Sequence, residues 1–132
     1  MRKCILVIFT ILSLLILSCT KEYTRLSLTI GEQPEGGSNV TEVSIAIVAR
    51  LESGDTPIQA KVKWWAKDIN GQNQTEYWAD TWTFRSTEWE ELGAMAYAPQ
   101  GGHLFGYFWF EITWTDEDGT ENEVLSEEAY CH

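Results

Sequence analysis

The stretch Lys61-Val62-Lys63-Trp64-Trp65-Ala66-Lys67 decides the fold class, because apolar and polar side chains alternate along it. Alternation with a period of two places successive side chains on opposite faces of a β-strand. Val62, Trp64 and Ala66 therefore share one face, and the three lysines share the other face with Trp65. We expect a strand with one buried side, on which Trp65 stands out of phase with the apolar residues.

The same alternation runs further along residues 104–115, the longest such stretch of the chain. Its even positions are predicted to face the core, namely Leu104, Phe108, Phe110, Ile112 and Trp114. Its odd positions are predicted to face outward, namely Phe105, Tyr107, Trp109, Glu111 and Thr113. This segment therefore predicts a second long strand with an aromatic outer face.

Other segments alternate in the same way and are separated by loop or turn signals such as Asn70-Gly71 and Asp116-Glu117-Asp118-Gly119. They bring the predicted strands to seven and cover residues 24–30, 43–51, 77–85, 89–98 and 120–130. The alanines and Met95 of residues 89–98 would also suit a short helix, although Gly93 and Pro99 favour a strand. Closely spaced strands without a clear helix indicate an all-β domain, either a sandwich or a small barrel.

Seven strands in one domain, with core-facing Trp64 on the third, resemble an immunoglobulin-like or fibronectin-type β-sandwich. The bridging cysteine pair of immunoglobulin domains is absent. The resemblance implies a single immunoglobulin-like β-sandwich of about seven antiparallel strands, in which the third and sixth strands are neighbours in one sheet. An eight-stranded or partly open barrel is the alternative.

Seven tryptophans are unusual in a domain of this size. Trp64, Trp78, Trp82 and Trp114 fall on faces shared with apolar residues, so we expect them in the core, where each would bury a large area. Trp89 opens a strand, and its pattern assigns it to neither face.

Trp65, Tyr107 and Trp109 are predicted to meet on one outer surface, because the third and sixth strands are neighbours in the implied order. Lys63 and Lys67 would flank them, and these five residues are the candidate ligand-binding site. The positions expected around them are Phe105, Lys61 and Glu111. An exposed aromatic patch with a charged rim marks an interaction site, and flat aromatic faces suit sugar rings. The alternatives are that these side chains stabilise the sheet through cross-strand and cation–π contacts, or that the fold covers this face.

Acidic residues dominate the charge of the chain, with 20 Asp and Glu against 9 Lys and Arg. Without Arg2 and Lys3, which belong to the predicted signal, the formal net charge would be 7 minus 20, or −13. Such a surface repels nucleic acid, so no nucleic-acid partner is expected. It also favours solubility.

The N-terminal segment has the form of a secretory signal. Arg2 and Lys3 precede an apolar run, Ile5 to Leu17, and Ser18 supplies a small residue before Cys19. The apolar run is shorter than the roughly 20 residues that a membrane-spanning helix needs.

Ile16-Leu17-Ser18-Cys19 resembles the lipobox of bacterial lipoproteins. The resemblance implies a signal peptide over residues 1–18, acylation of Cys19 and a tether over residues 19–22. The predicted sandwich domain then covers residues 23–132. The resemblance also implies a membrane contact through the lipid and an outer-membrane location in the cell envelope, on the surface or facing the periplasm. An ordinary signal cut near Ser18, or an uncleaved anchor, is the alternative.

Signals for catalysis, metals and cofactors are weak. His103 lies in a glycine-rich loop without a nucleophile motif, and no phosphate-binding or dinucleotide motif is present. The acidic hairpin at residues 116–119 lacks the spacing of a calcium loop, and His103, His132 and Cys131 make a poor zinc set. We expect no enzyme activity, no metal and no cofactor. Cys4 lies in the predicted signal and Cys19 would be acylated, so Cys131 would have no cysteine of the same chain to form a disulfide with. It would pack as a small apolar residue or form a disulfide between molecules.

The sequence thus predicts a membrane-anchored, non-catalytic binding module for a glycan or an envelope protein. The alternative is a structural or assembly subunit of an envelope complex that pairs through an open sheet edge. Exposed, adjacent Trp65 and Trp109 would favour binding, and a long uncovered edge with both buried would favour assembly.

Overall fold

A computed structural model describes residues 22–132, so the predicted signal peptide and the acylation of Cys19 lie outside the described part. Residues 22–132 form eight antiparallel strands. In chain order these are β1 Arg25–Glu32, β2 Glu42–Ser53, β3 Ile58–Lys67, β4 Thr75–Phe84, β5 Glu90–Tyr97, β6 Gly106–Thr115, β7 Glu121–Leu125 and β8 Ala129–Cys131. Within this range no helix has the length and apolarity to cross a membrane.

The strands form two sheets, which confirms the predicted all-β sandwich. The smaller sheet has the order β1-β2-β5, and the larger has the order β4-β3-β6-β7, with β8 also paired to β6. The third and sixth strands are neighbours, as the immunoglobulin-like order requires. The weaker segment around Met95 is the strand β5 and not a helix.

The core lies between the inner faces of the two sheets. The even positions of β6 are buried as predicted, and Phe110 and Ile112 are fully enclosed. Trp82 and Trp114 are also buried, whereas Trp64 is half-buried and packs against the edge of the core.

A β-bulge in β4 overturns the prediction that Trp78 belongs to the core. Val62 of β3 is paired with Asp80, but the next residue, Lys63, is paired with Trp78, so Ala79 is one extra residue in β4. An extra residue reverses the phase of the side chains that precede it. Ala79 packs towards the core, and Trp78 lies on the outer face with 60% of its surface exposed.

A second irregularity divides the predicted final strand in two. Leu125 pairs with Glu111, whereas Ala129 pairs with Phe108, which leaves one extra residue between β7 and β8. Ser126 occupies the break, where its hydroxyl accepts a hydrogen bond of 2.8 Å from the Phe110 amide. The phase change buries Ala129 and turns Tyr130 outward.

Cys131 is fully buried between β6 and the loop that joins β1 to β2. The Gly37 amide donates to the Tyr130 carbonyl at 2.9 Å, and the His132 amide donates to the Gly37 carbonyl at 3.0 Å. Burial raises the pKa of the Cys131 thiol. The thiol therefore packs as an apolar group, which is one of its two predicted roles.

The turns divide the sandwich into two poles. The β6–β7 turn, where the Gly119 amide donates to the Asp116 carbonyl at 3.0 Å, lies beside the start of β1. Asp116 also accepts a hydrogen bond of 2.9 Å from the Leu26 amide, which fixes the N-terminal strand at this pole. The β1–β2, β3–β4 and β5–β6 loops lie at the other pole.

Asn70-Gly71 forms part of a longer loop and not the two-residue hairpin that the dipeptide favours. β3 ends at Lys67 and β4 begins at Thr75. Gly71 has a φ of +72°, and its amide donates to the Asp68 carbonyl at 2.9 Å. The Asp68 side chain organises the loop, which explains why the turn is wider than predicted.

Candidate binding surface and end cleft

Five aromatic side chains lie together on the outer face of the larger sheet, and we call them the outer aromatic strip. Its members are Trp78 of β4, Trp65 of β3, Trp109 and Tyr107 of β6, and Tyr130 of β8. They run diagonally across four strands, over a distance of about 20 Å by the usual strand and residue spacings. The strip therefore offers a flat, extended apolar surface.

Trp65 and Trp109 form the centre of the strip. They are directly paired across β3 and β6, and their rings lie nearly parallel, with 9° between planes and 6.2 Å between centroids. Both are half-exposed. Tyr107 continues the strip to Tyr130, whose ring centroid is 4.9 Å away.

The polar groups around the strip are paired with one another. The Trp65 indole nitrogen donates to Glu111 Oε2 at 2.8 Å. Lys63 Nζ lies 2.6 Å from Glu76, and this hydrogen bond raises the pKa of Lys63. Lys67 Nζ lies 3.3 Å from Glu128 and 4.8 Å from the centroid of the Trp109 ring. These contacts fix the rings and leave little unpaired charge beside them.

Glu111 also links the strip to β7. A side-chain hydrogen bond between Glu111 and Glu123 raises the pKa of Glu123, and partial desolvation and the charge of Glu111 act in the same direction.

The structure brings the five predicted site residues onto one face, as the strand order predicted. Phe105 does not join them, because it precedes β6 and lines a cleft at the end of the sandwich. Trp78 and Tyr130 also belong to this face, although the sequence pattern did not predict them there. Trp78 reaches the outer face through the bulge at Ala79, and Tyr130 reaches it through the one-residue shift between β7 and β8.

The cleft, which we call the end cleft, opens between the two sheets at the pole opposite the start of β1. It has a volume of about 570 Å³. Trp64, Phe108 and Leu104 lie at its apolar base, and Tyr77, Tyr97 and Phe105 are exposed side chains in its lining. The polar side chains in its lining are Lys67, Asp68, Asn73, Thr75 and His103. Its size and mixed lining are those of a small-molecule site.

Residues 22–132 contain no group of three or more His, Cys, Asp and Glu side chains placed to hold a metal ion. The carboxylate of Asp116, in the hairpin considered as a calcium loop, accepts hydrogen bonds from the Leu26 amide and from Asn122 at 3.0 Å. The acidic hairpin thus closes the β6–β7 turn and joins it to β1.

A comparison with one solved structure supports the fold at low sequence identity. The β-glucosidase from Listeria innocua in complex with glucose aligns with a TM-score of 0.50 and 8% identity, over 83% of this chain and 16% of that chain. The putative ApaA protein from Bordetella pertussis aligns with a TM-score of 0.44 and 12% identity, over 83% of this chain and 93% of that chain. No protein-family model matches the sequence, and no curated protein matches it. The likeness to the glucosidase shows a shared fold alone.

Proposed function

We propose that the chain is a non-catalytic binding module of the bacterial cell envelope, anchored in the outer membrane through lipid on Cys19, that binds an extended glycan along the outer aromatic strip. The observation that carries the proposal is the position of five aromatic side chains on one open sheet face, with Trp78 at its edge 60% exposed. Contiguous exposed aromatic surface marks an interaction site more often than it serves stability alone.

The chemistry of the strip suits a neutral polymer. Sugar rings present a face of C–H groups that packs on an indole or phenol ring. The lysines that flank the strip already contact Glu76 and Glu128 at 2.6 and 3.3 Å, so a charged ligand would have to displace these partners. The hydrogen bond from Trp65 to Glu111 holds the central ring in place before any ligand arrives, which lowers the entropic cost of binding.

A protein partner is the second candidate for the same surface. Leu125 lies on the outer face of β7, opposite Glu111, and is 54% exposed. It widens the apolar area beside the strip, and protein interfaces are enriched in Trp and Tyr. Strand addition at the β4 edge is less favoured, because that edge carries the bulge at Ala79, and bulges hinder edge pairing.

A glycan array tests the proposal with the matched variants Trp78→Ala and Trp89→Ala in residues 20–132, which include every described strand and the whole core. Trp78 lies on the strip, whereas Trp89 is similarly exposed, at 56%, and lies against Arg50 of the smaller sheet. We expect the wild type and Trp89→Ala to bind the same glycans and Trp78→Ala to lose that binding. Equal binding by both variants would remove the strip as the site. Absence of binding by the folded wild type would leave the protein partner, to be sought by pull-down from envelope extracts.

The lipid anchor needs a separate test, because residue 19 lies outside the described part of the chain. We expect cells that express the full chain to incorporate labelled palmitate into it, and Cys19→Ala to abolish the label. An unlabelled wild-type chain that is released from the membrane would overturn the anchor and leave the binding proposal untouched.

A further inference from the structure

We infer that the end cleft is a second ligand site, distinct from the outer aromatic strip, and that it takes a single neutral sugar ring. Adjacent residues serve the two sites: Trp64 points from β3 into the cleft, and Trp65 points to the strip on the opposite side of the same sheet. The inference does not depend on what the strip binds.

The lining of the cleft provides the ring faces that a sugar needs. Trp64 and Tyr77 stack face to face, with 3.9 Å between centroids and 11° between planes, so each ring covers one face of the other. Tyr77 remains 43% exposed and lines the cleft. Across the cleft, Tyr97 and Phe105 are 59% and 60% exposed. Neither of these two rings stacks on another ring within residues 22–132. Two large aromatic side chains are thus held at the opening of a concave site with their surfaces unused.

The charges at the cleft are already engaged by the protein, which favours a neutral ligand. Asp68 accepts hydrogen bonds from the amides of Asn70 and Gln72 at 3.0 and 2.9 Å, and from the Asn73 side chain at 2.6 Å. The hydrogen bond from Gln72 contributes most to lowering the pKa of Asp68. Lys67 directs its ammonium to Glu128, on the other side of the sheet.

The polar groups that remain can make directional hydrogen bonds to hydroxyl groups. They are the hydroxyls of Tyr77 and Tyr97, the side-chain amide oxygen of Asn73 and the imidazole of His103. The Thr75 hydroxyl donates to the Asn73 carbonyl at 3.4 Å, so it can only accept from a ligand. Aromatic faces together with a few polar groups of this kind provide orientation and specificity in small-molecule sites. The volume of about 570 Å³ lies within the range of roughly 300–1,000 Å³ that such sites span.

Both loops that border the cleft are braced, so the site is preformed. The β3–β4 loop is held by the hydrogen bonds to Asp68. In the β5–β6 segment, the Ala98 amide donates to the Thr41 carbonyl at 2.8 Å, and the Leu104 amide donates to the Val40 carbonyl at 2.7 Å. A preformed cleft requires little ordering when the ligand enters.

The cleft also lies where a ligand can reach it. The start of β1 is fixed at the opposite pole by the Leu26–Asp116 hydrogen bond, and the strands between the poles are up to about 35 Å long by the usual rise per residue. A tether at the N-terminus would therefore direct the cleft away from the membrane.

The experiment is a titration of ¹⁵N-labelled residues 20–132 with candidate ligands, in which changes of the amide chemical shifts report binding. The probes are the methyl glycosides of glucose, galactose, mannose and N-acetylglucosamine, with tetramethylammonium as a cationic probe. Tyr97→Ala/Phe105→Ala alters only exposed side chains of the cleft, and Trp78→Ala is the matched change on the strip. We expect at least one glycoside to shift the amides of Asn73 and His103, the double variant to bind it roughly tenfold more weakly or worse, and Trp78→Ala to bind it normally.

Every other outcome would overturn the inference. Glycoside shifts confined to the amides around Trp65 and Trp109 would assign sugar binding to the strip alone. Shifts at Asn73 with tetramethylammonium and with no glycoside would identify a cation site. Unchanged affinity in a Tyr97→Ala/Phe105→Ala protein with wild-type dispersion, or no shift with any probe, would exclude the cleft as a sugar site. Because the two sites are read from different amides, failure of the strip proposal leaves this result interpretable.

Discussion

The stacked pair Trp65 and Trp109 should be energetically coupled, and a double-mutant cycle can measure the coupling. Each ring is half-buried, so truncation to alanine removes roughly 100 Å² of apolar contact, worth about 2.5 kcal/mol. Trp65→Ala also removes the hydrogen bond to Glu111, about 0.5 kcal/mol more at this half-exposed position. The parallel rings, 6.2 Å apart at directly paired positions, contribute about 1 kcal/mol beyond their burial.

The expected losses of unfolding free energy are therefore about 4 kcal/mol for Trp65→Ala, about 3.5 kcal/mol for Trp109→Ala and about 6.5 kcal/mol for the double variant, because each single variant loses the stack and the double variant loses it only once. Contacts with Glu111 and Lys67 cancel in the cycle, since each is removed along with its own tryptophan. Urea unfolding of the four proteins, followed by circular dichroism, gives the coupling directly.

A coupling below about 0.3 kcal/mol would refute the reasoning, because additive losses would mean that each ring rests on the sheet independently. The strip would then lack the rigidity that the proposed binding mode uses. The size of these losses is also the reason for testing binding with Trp78→Ala, whose ring is 60% exposed and contributes little to stability.

Other expected outcomes concern the pole that carries the end cleft and β8. Cys131 should be unreactive towards a thiol reagent in the native protein and fully reactive in urea, because it is completely buried; rapid native labelling would contradict this packing. Gly36→Ala should destabilise the domain by about 1–3 kcal/mol, because a Cβ there would overlap the backbone of Tyr130. Hydrogen exchange should show β8 released, and unchanged protection would argue against the contact. Asp68 has a pKa below its ordinary value of 3.8, so its contribution to stability is present above that pH and is lost as the pH falls through the lowered value. Urea midpoints at about pH 6 and pH 3 should therefore differ less in Asp68→Ala than in the wild type, and an equal difference would contradict the assignment.

Local alternation predicted the strands well, because burial on one face of a sheet imposes a period of two on the sequence. Val62 and the even positions of β6 are buried, and Trp65 and Trp109 lie on the outer face, as expected. The neighbouring positions of β3 and β6 followed from the immunoglobulin-like order. The candidate site residues therefore lie together, although their role in binding is a proposal that the experiments above will decide.

Positions that depended on strand register were predicted less well. The predictions that Trp78 lies in the core and that Phe105 joins the outer patch are wrong. Asn70-Gly71 indicated a tight hairpin, but the Asp68 side chain supports a wider loop. A single extra residue moved Trp78, the start of β6 at Gly106 left Phe105 outside the strand, and the side chain of Asp68 widened the turn.

The sequence by itself determined that this chain forms strands and which faces of the regular strands are apolar, because both properties follow from a period of two. It also determined that the domain is strongly acidic, because charge depends on composition alone. Only the tertiary structure decided where that period breaks. The bulge at Ala79 and the break at Ser126 each shift the phase by one residue, and they bring Trp78 and Tyr130 onto the outer aromatic strip. The end cleft likewise exists only because folding brings the β3–β4 and β5–β6 loops to one pole, so that residues far apart in the chain line the same space.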